Sequence, residues 1–461
     1  MDDFVTFDAA QSARTSEIRD WWNFINPPHV MHFSLFDFDR RYVKADGASL
    51  WDDEGNEYVD FTSCYGALNL GHNHPKVVEA VTKKIAEEPK FNQATLNPYA
   101  GALAKNLASI APGELEVSFF CCSGADAVEA ALKTARAATK RPAFVYAENS
   151  FHGKTFGALS VTGREKYRKP FEPLMPNCRE IPYGDAEALD RALSKSDVAA
   201  FIVEPIQGEG GVIVPPDGYL KEAERVCRKY GTLLIVDEIQ TGVGRTGKFF
   251  ACEHENVEPD IITLAKSLGG GFMPLGCAMY KRRIWELVYG SISNSLLHTS
   301  TLQNISISCA AGLAALEAVY EENLLKEAHE KGLHMMKRLK ELEEKHSMIK
   351  EVRGKGLMIG VEFYEPASGW LDKLSGGFIN KVSNEYFAQM VMVELLHEYR
   401  IIALYTLNNP NVIRVQPPLV VSREQLDRFA DALDEICEKY KSFWKMSLKA
   451  GKTALGSIFK R

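Results

Sequence analysis

Short, unbroken apolar runs recur through the middle of the chain, at 117–121, 143–147, 199–203, 233–236, 261–264 and 275–280, separated by polar turns and amphipathic stretches. A strand that is apolar at every position is buried on both faces, so these runs predict inner strands of a largely parallel sheet. Between them the apolar positions take helical spacing. Pro75 opens a helix with Val77, Val78, Val81 and Ile85 on one face, 99–110, 186–194 and 218–230 are further helices, and Val128, Ala131, Leu132 and Ala135 share a face after Gly124. Strands alternating with helices imply an α/β fold with a helical layer on each face of the sheet. Earlier, the text WDDEGNEYVDF, from Trp51, predicts a β-hairpin with Gly55 in its turn. Residues 1–50 carry aromatics without a period and predict short helices and extended chain packed on the body. Beyond Ser308 one long helical stretch should run to 345, followed by strands at 349–353 and 357–363 and a linker of PASG and SGGF type. A helix at 385–398, short strands near Ile401 and at 412–415, and a last helix at 424–440 complete a second, α+β, unit.

Length agrees with that division, because 461 residues suit a large domain with a smaller one attached. The pattern places an N-terminal segment at 1–75, a large domain at 76–325, a small C-terminal domain at 326–440 and a tail at 441–461. A net charge of −7 argues against a nucleic-acid partner and for small-molecule chemistry. The nine cysteines are scattered and partly vicinal (Cys121, Cys122), which fits neither a disulfide framework nor spaced zinc ligands. No metal and a reducing compartment are expected. The first residues hold no apolar core of signal-peptide length, so a cytoplasmic protein is expected.

Chemistry concentrates where apolar runs end. Asp237 closes LLIVD, and Lys266 follows TLA and precedes SLGGG. An acid delivered from one strand end and a lysine from another are what pyridoxal phosphate needs: the lysine holds the aldehyde as an imine and shuttles a proton, and the acid keeps the pyridine nitrogen protonated. Asp237 would equally serve as a helix cap, and Lys266 as a solvated loop lysine, but the glycines behind it allow backbone to approach a bulky ligand. Ser123, Gly124 and Ala125, between a strand and a helix, form an anion site if the helix N-terminus faces a ligand; a small turn before a helix is also common without one. Phe151 and Lys154 follow the strand 143–147, and Glu204, Gln207 and Glu209 follow 199–203, so the candidate polar groups fall on one sheet rim. Arg414 alternates with Ile413 and Val415. It either orients a substrate carboxylate or faces solvent from an edge strand, which the prolines after it suggest.

Seven motifs make a resemblance explicit: GHNHP (71–75), CSGADAVE (122–129), SFHGKT (150–155), EPIQGEGG (204–211), VDEIQTGVGRTGK (236–248), TLAKSLGGG (263–271) and RVQPPL from Arg414. Over roughly 40–438 the chain resembles the class III pyridoxal-phosphate aminotransferases, which include ornithine, acetylornithine, 4-aminobutyrate and putrescine aminotransferases. The resemblance implies fold type I, with a mostly parallel seven-stranded-type sheet and a homodimer with shared active sites. It implies Lys266 as the Schiff-base lysine, Asp237 as the pyridinium partner and Gln240 beside the phenolic oxygen. Ser123, Gly124 and Ala125 would hold the phosphate, Phe151 would stack on the ring with His152 beside it, and Ser300 and Thr301 would reach the neighbouring subunit's phosphate. Tyr65 matches a pocket tyrosine of the ornithine branch. Glu209 paired with Arg414 is similar to the family's switch between carboxylate-bearing and amine-bearing ends.

Departures bear on substrate. Members using glutamate or acetylornithine tend to carry arginine where this chain has Lys154, and lysine lacks the planar bidentate fork. After Thr301 the family's usual aromatic-Gly-Gly-Asn-Pro is replaced by Leu302, Gln303, Asn304, Ile305 and Ser306. The wall contributed by the second subunit should therefore differ, and Lys154 with its FHGKT context is more like the putrescine-type ω-amine branch. The expected activity is transfer of an amino group from a primary, terminal amine to a 2-oxo acid or aldehyde acceptor by a ping-pong cycle. A racemase, aminomutase or decarboxylase, or a non-catalytic binding protein, would use the same fold. The tail, 441–461, lines up Trp444, Leu448, Gly451, Leu455 and Phe459 beside lysines 441, 445, 449 and 452, a helix that would dock weakly on a membrane surface or acidic carrier. Packing on the dimer, or disorder, is the other reading, since two glycines weaken the helix.

Overall fold

The computed structural model describes residues 4–35, 38–87, 95–364 and 378–440. The tail at 441–461 and the PASG and SGGF linker lie outside the described residues. Strands β1 (Tyr42–Asp46), β2 (Ser49–Asp52) and β3 (Glu57–Asp60) lead into the body. β2 and β3 form the predicted hairpin, where Asp52 Oδ1 accepts the backbone N–H of Glu54 (3.1 Å) and Asn56 (2.8 Å) and Gly55 takes φ +84°.

Seven strands build the central sheet: β4 (Leu115–Cys121), β5 (Ala143–Ala147), β6 (Cys178–Ile181), β7 (Val198–Val203), β8 (Leu233–Asp237), β9 (Ile261–Leu264) and β10 (Gly276–Lys281), in the order β4-β10-β9-β8-β7-β5-β6. Pairs β5·β6, β5·β7, β7·β8 and β8·β9 are parallel, and β10 pairs antiparallel with both β4 and β9. The unbroken apolar runs follow from burial on both faces. In β8, Leu233 and Ile235 pack into one core layer while Leu234 and Val236 pack into the other. The helix Gly124–Thr139 covers the first layer with Ala127, Val128, Ala131, Leu132 and Ala135, and the helices Pro98–Ile110 and Tyr219–Tyr230 cover the second. Each fully buried Leu, Ile or Val contributes roughly 1.5–3 kcal/mol, so the sheet is a rigid floor for groups at its rim.

The C-terminal part carries β11 (Ile349–Lys355), β12 (Met358–Phe363), β13 (Ile401–Ile402), β14 (Leu404–Tyr405) and β15 (Val412–Val415). β11-β12-β15-β14 form an antiparallel sheet, and β13 adds to β3 in parallel, stitching this region to the N-terminal hairpin.

Several expectations need correction. β6 was not foreseen; it is a four-residue edge strand whose Arg179 and Glu180 break the apolar pattern. The long helix after Ser308 is two helices, Ser306–Glu321 and Leu324–Lys345, broken at Asn323 with φ +54°, a conformation asparagine adopts more readily than most residues. In the helix Pro75–Glu87, Ile85 is 55% exposed while Lys84 is buried with its ammonium over the Tyr99 ring. The N-terminal aromatics form short helices as expected, yet Phe7 and Phe24 project outward from this chain. Arg414 does not sit on an edge, because β15 is flanked by β12 and β14 and the prolines begin only after the ladder ends.

Candidate active site

The carboxyl ends of β5, β7, β8 and β9 meet on one rim around a cavity of about 470 Å³. That size suits a small cofactor with substrate. Asp237, the last residue of β8, is buried. Its Oδ1 accepts Thr263 Oγ1–H (2.9 Å) and the Ile239 N–H (3.1 Å), and its Oδ2 accepts His152 Nδ1–H (2.7 Å). Lys266 lies two residues past β9 with φ +47°, which swings the chain sharply away from the strand. The glycines behind it permit close packing: a Cβ on Gly270 would stand 2.9 Å from Val77, and one on Gly271 2.5 Å from Leu68. Burial pushes the Lys266 ammonium down to about 8, with Glu209 opposing and Arg414 adding to the shift.

The helix Gly124–Thr139 aims its N-terminus into the cavity. Ser123 is its N-cap, accepting from Asp126 N–H at 3.2 Å, and Cys122, Ser123, Gly124 and Ala125 line the wall. First-turn N–H groups have no intrahelical acceptor, so this wall is a built anion cradle. Phe151 and His152 follow β5 and also line the cavity. His152 stands behind Asp237, and its Nε2 is buried with no partner among the described residues. Gln240 donates to the Tyr65 carbonyl (3.3 Å), and its amide lies on Gly208, where a Cβ would stand 1.6 Å from Oε1, an atom that is buried and unpartnered. An amine, an acid, an aromatic, an anion cradle and an orphaned amide oxygen around one cavity fit the cofactor expected from the sequence.

Across the cavity stands Glu209, held by Arg414 from β15: Nη1 donates to Oε1 at 2.9 Å and Nη2 to Oε2 at 2.6 Å. Both are buried. Burial would raise the Glu209 carboxyl, but the Arg414 guanidinium wins and holds it at about 2. Tyr65 faces Arg414, whose Cζ is 5.3 Å from the ring centroid. It belongs to a left-handed run, Ser63, Cys64, Tyr65 and Gly66, with φ from +45° to +78°. Ser63 Oγ–H to the Gln416 carbonyl (2.7 Å) and Ser267 Oγ–H to the Gly66 carbonyl (3.0 Å) pin that run between the two regions.

Other expected residues lie farther out. Lys154 is exposed, with its ammonium 4.6 Å from the Tyr167 ring centroid and 5.9 Å from that of Phe151. Ser300 and Thr301 lie on an exposed segment outside this chain's cavity lining, beside exposed Ile292, Leu296, Leu297 and Leu302. Glu204, to which the sequence reading assigned no role, lines the cavity. It accepts the Phe151 N–H (2.9 Å) and the Gly208 N–H (3.0 Å), and burial raises it to about 7. Its place at the end of β7, beside the strand of Asp237, was a usable signal.

Residues 36–437 match the family model of class-III aminotransferases. A curated relative, aminotransferase PigE of Serratia, is 36% identical across 94% of this chain, and the chain spans about half (55%) of that relative's length. Among solved structures, the ornithine aminotransferase of Toxoplasma gondii, with partial occupancy of PLP at its active site, is 32% identical with a TM-score of 0.78, covering 87% of this chain and 92% of its own. A PLP-bound amine transaminase from an uncultivated Pseudomonas species is 27% identical with a TM-score of 0.77, covering 87% and 95%.

Proposed function

The chain belongs to the class-III aminotransferases, a pyridoxal-phosphate family, and from that premise we propose that it moves the amino group of a primary, terminal amine to a 2-oxo acid or aldehyde acceptor in two half-reactions at one site. The observation that carries this reading is the closed Glu209–Arg414 pair facing Lys266 and Asp237 across one cavity. Pyridoxal phosphate, when bound, supplies the electron sink and carries the amino group between the half-reactions. Lys266, with its ammonium lowered to about 8, is roughly one-tenth neutral at pH 7, far more than an ordinary lysine, and can take and return the substrate proton. Asp237, oriented by Thr263, Ile239 and His152, would keep a proton on the ring nitrogen. The N–H groups of Gly124 and Ala125 would hold the phosphate, and Phe151 would cover the ring. With Glu209 on Arg414, the incoming end meets a neutralised wall, which suits an amine without a carboxylate. A 2-oxo acid must draw Glu209 away before pairing with the guanidinium.

A second copy completes the site by bringing Ser300 and Thr301 to the phosphate, and the exposed apolar side chains around them support that dimer. Nine free thiols support a cytoplasmic setting, and among the described residues no helix is long and apolar enough to cross a membrane. Lys266→Ala should remove the bound cofactor's visible absorbance and turnover; retained turnover would overturn the assignment. A donor panel of putrescine, 4-aminobutyrate, ornithine, long-chain amines and aromatic amines tests the substrate class, and activity confined to α-amino acids would refute the terminal-amine reading.

A further inference from the structure

One loop touches the Glu209–Arg414 pair from outside the cavity. Residues 405–409 connect β14 to the approach of β15. From this loop the Leu407 N–H donates to Glu209 Oε2 at 3.1 Å, and the Asn408 N–H donates to the Glu209 carbonyl at 2.8 Å. Glu209 Oε2 thus receives both Arg414 and Leu407. If the carboxylate leaves, Leu407 loses its acceptor unless the loop moves as well.

The loop is in turn held by the segment after Gly163. Arg164 Nη1 donates to the Leu407 carbonyl, and the Tyr167 hydroxyl reaches the same oxygen at 3.5 Å. Arg164 Nη1 also lies 3.5 Å from Asn408 Oδ1, and Asn408 Nδ2–H donates to the Asn149 carbonyl at 2.8 Å. The Arg164 guanidinium leans over the Tyr167 ring, 5.5 Å from its centroid. Its hydrogen bonds among the described residues all run to this loop, and it lies outside the cavity lining. One peptide unit therefore has its carbonyl fastened to Arg164 and its neighbouring N–H spent on Glu209.

We propose that Arg164, acting through the 405–409 loop, is a positioning residue that latches the Glu209–Arg414 pair shut and so sets the site's preference against ligands that bring a carboxylate to Arg414. This rests on the reading that Glu209 must leave Arg414 before a carboxylate can enter. Releasing the Leu407 carbonyl lets the loop follow Glu209 outward, which removes the penalty of stranding a half-buried N–H beside a departed charge.

The sign of the effect separates a latch from the other roles available to a cation at a site mouth. An arginine that bound anions directly would weaken carboxylate binding when removed. A latch strengthens it. The test is calorimetric titration of the holoenzyme with glutarate, which carries carboxylates but no oxo group and so reports binding without turnover. Arg164→Met should bind glutarate roughly tenfold tighter than wild type, the factor set by one hydrogen bond to a charged group. Asn408→Ala loosens the same loop without changing charge and should also bind tighter, whereas Arg164→Lys, which still donates to Leu407, should stay within about twofold of wild type. Glu209→Ala, which tests the gate itself, should tighten binding at least as much as Arg164→Met. Unchanged or weaker binding in Arg164→Met and Asn408→Ala, with tightening in Glu209→Ala, overturns the latch and leaves the gate standing. No tightening in Glu209→Ala removes the gate and the latch together.

Discussion

Two buried carboxylates stand five residues apart on the segment after β7, and their surroundings drive them in opposite directions. Glu204 faces the sheet rim, where it accepts two backbone N–H groups and has no cation bonded to it; burial prevails and its carboxyl rises to about 7. Glu209 faces the C-terminal sheet, where Arg414 grips both of its oxygens, and the ion pair prevails at about 2. Desolvation acts on both. What differs is whether a fixed cation answers it. At Glu204 and Lys266 the rim thus favours the neutral form, which suits the proton-shuttling role proposed for Lys266. The opposite wall is a place where charge is locked in, which suits the carboxylate gate proposed above.

Removing the cation breaks the comparison most strongly. Arg414→Met leaves Glu209 buried with no counter-charge and should lower stability by about 3–5 kcal/mol in chemical denaturation. Adding Glu209→Leu to that variant should restore most of the loss, because two well-packed apolar side chains replace the pair. Recovery of none of it would mean that the pair is not the source of the penalty. Glu204→Gln keeps one acceptor oxygen but sets an N–H donor against a backbone N–H, at roughly 1–3 kcal/mol.

The same contrast predicts opposite pH slopes. Glu209 is depressed relative to an ordinary glutamate at 4.5, so its contribution is present above pH 4.5 and is lost as pH falls from there through about 2. Glu204 is raised, so its contribution is present below pH 4.5 and is lost as pH rises through about 7. Glu238, buried and raised to about 6, acts in the same window as Glu204. The decisive measurement is therefore the difference between wild type and Glu204→Gln. Between pH 4.5 and 8 wild type should lose on the order of 2 kcal/mol more than the variant. Parallel pH profiles would place the Glu204 carboxyl near its ordinary value and erase the contrast.

The rim was far more legible in the sequence than the gate. Asp237 and Lys266 each follow an apolar run, and a parallel sheet sends such run ends to one edge, so local pattern was enough to bring them together. Glu204 obeys the same rule, so its position was legible, but its partners are backbone N–H groups that no sequence pattern names. The gate depends on contacts between positions 205 residues apart, and the residues were paired only through a family resemblance. Arg414 was ambiguous because an alternating strand followed by prolines reads as an edge until β14 is seen to pair with it. The β6 strand, the break at Asn323 and the inward Lys84 were missed for one reason: polar residues occupy structured positions there, and binary patterning discounts them.

The smallest effect links the two regions through space. Both members of the gate act on Lys266, with Glu209 favouring its ammonium and Arg414 opposing it. They act with opposite sign, so the intact pair opposes itself at the lysine, and burial, the largest cause, outweighs Glu209, Glu204 and Asp237 to bring the value down to about 8. Glu209→Gln leaves the guanidinium unanswered and should lower Lys266 further, and Arg414→Met should raise it, each by several tenths to about one pH unit. The readout is the pH dependence of trapping Lys266 in the apoprotein with a small aldehyde and borohydride, located by peptide mapping, which requires no turnover. Shifts in opposite directions would show that opening the gate changes the basicity of the lysine as well as the shape of the pocket. Identical profiles in both variants would confine the gate to steric selection.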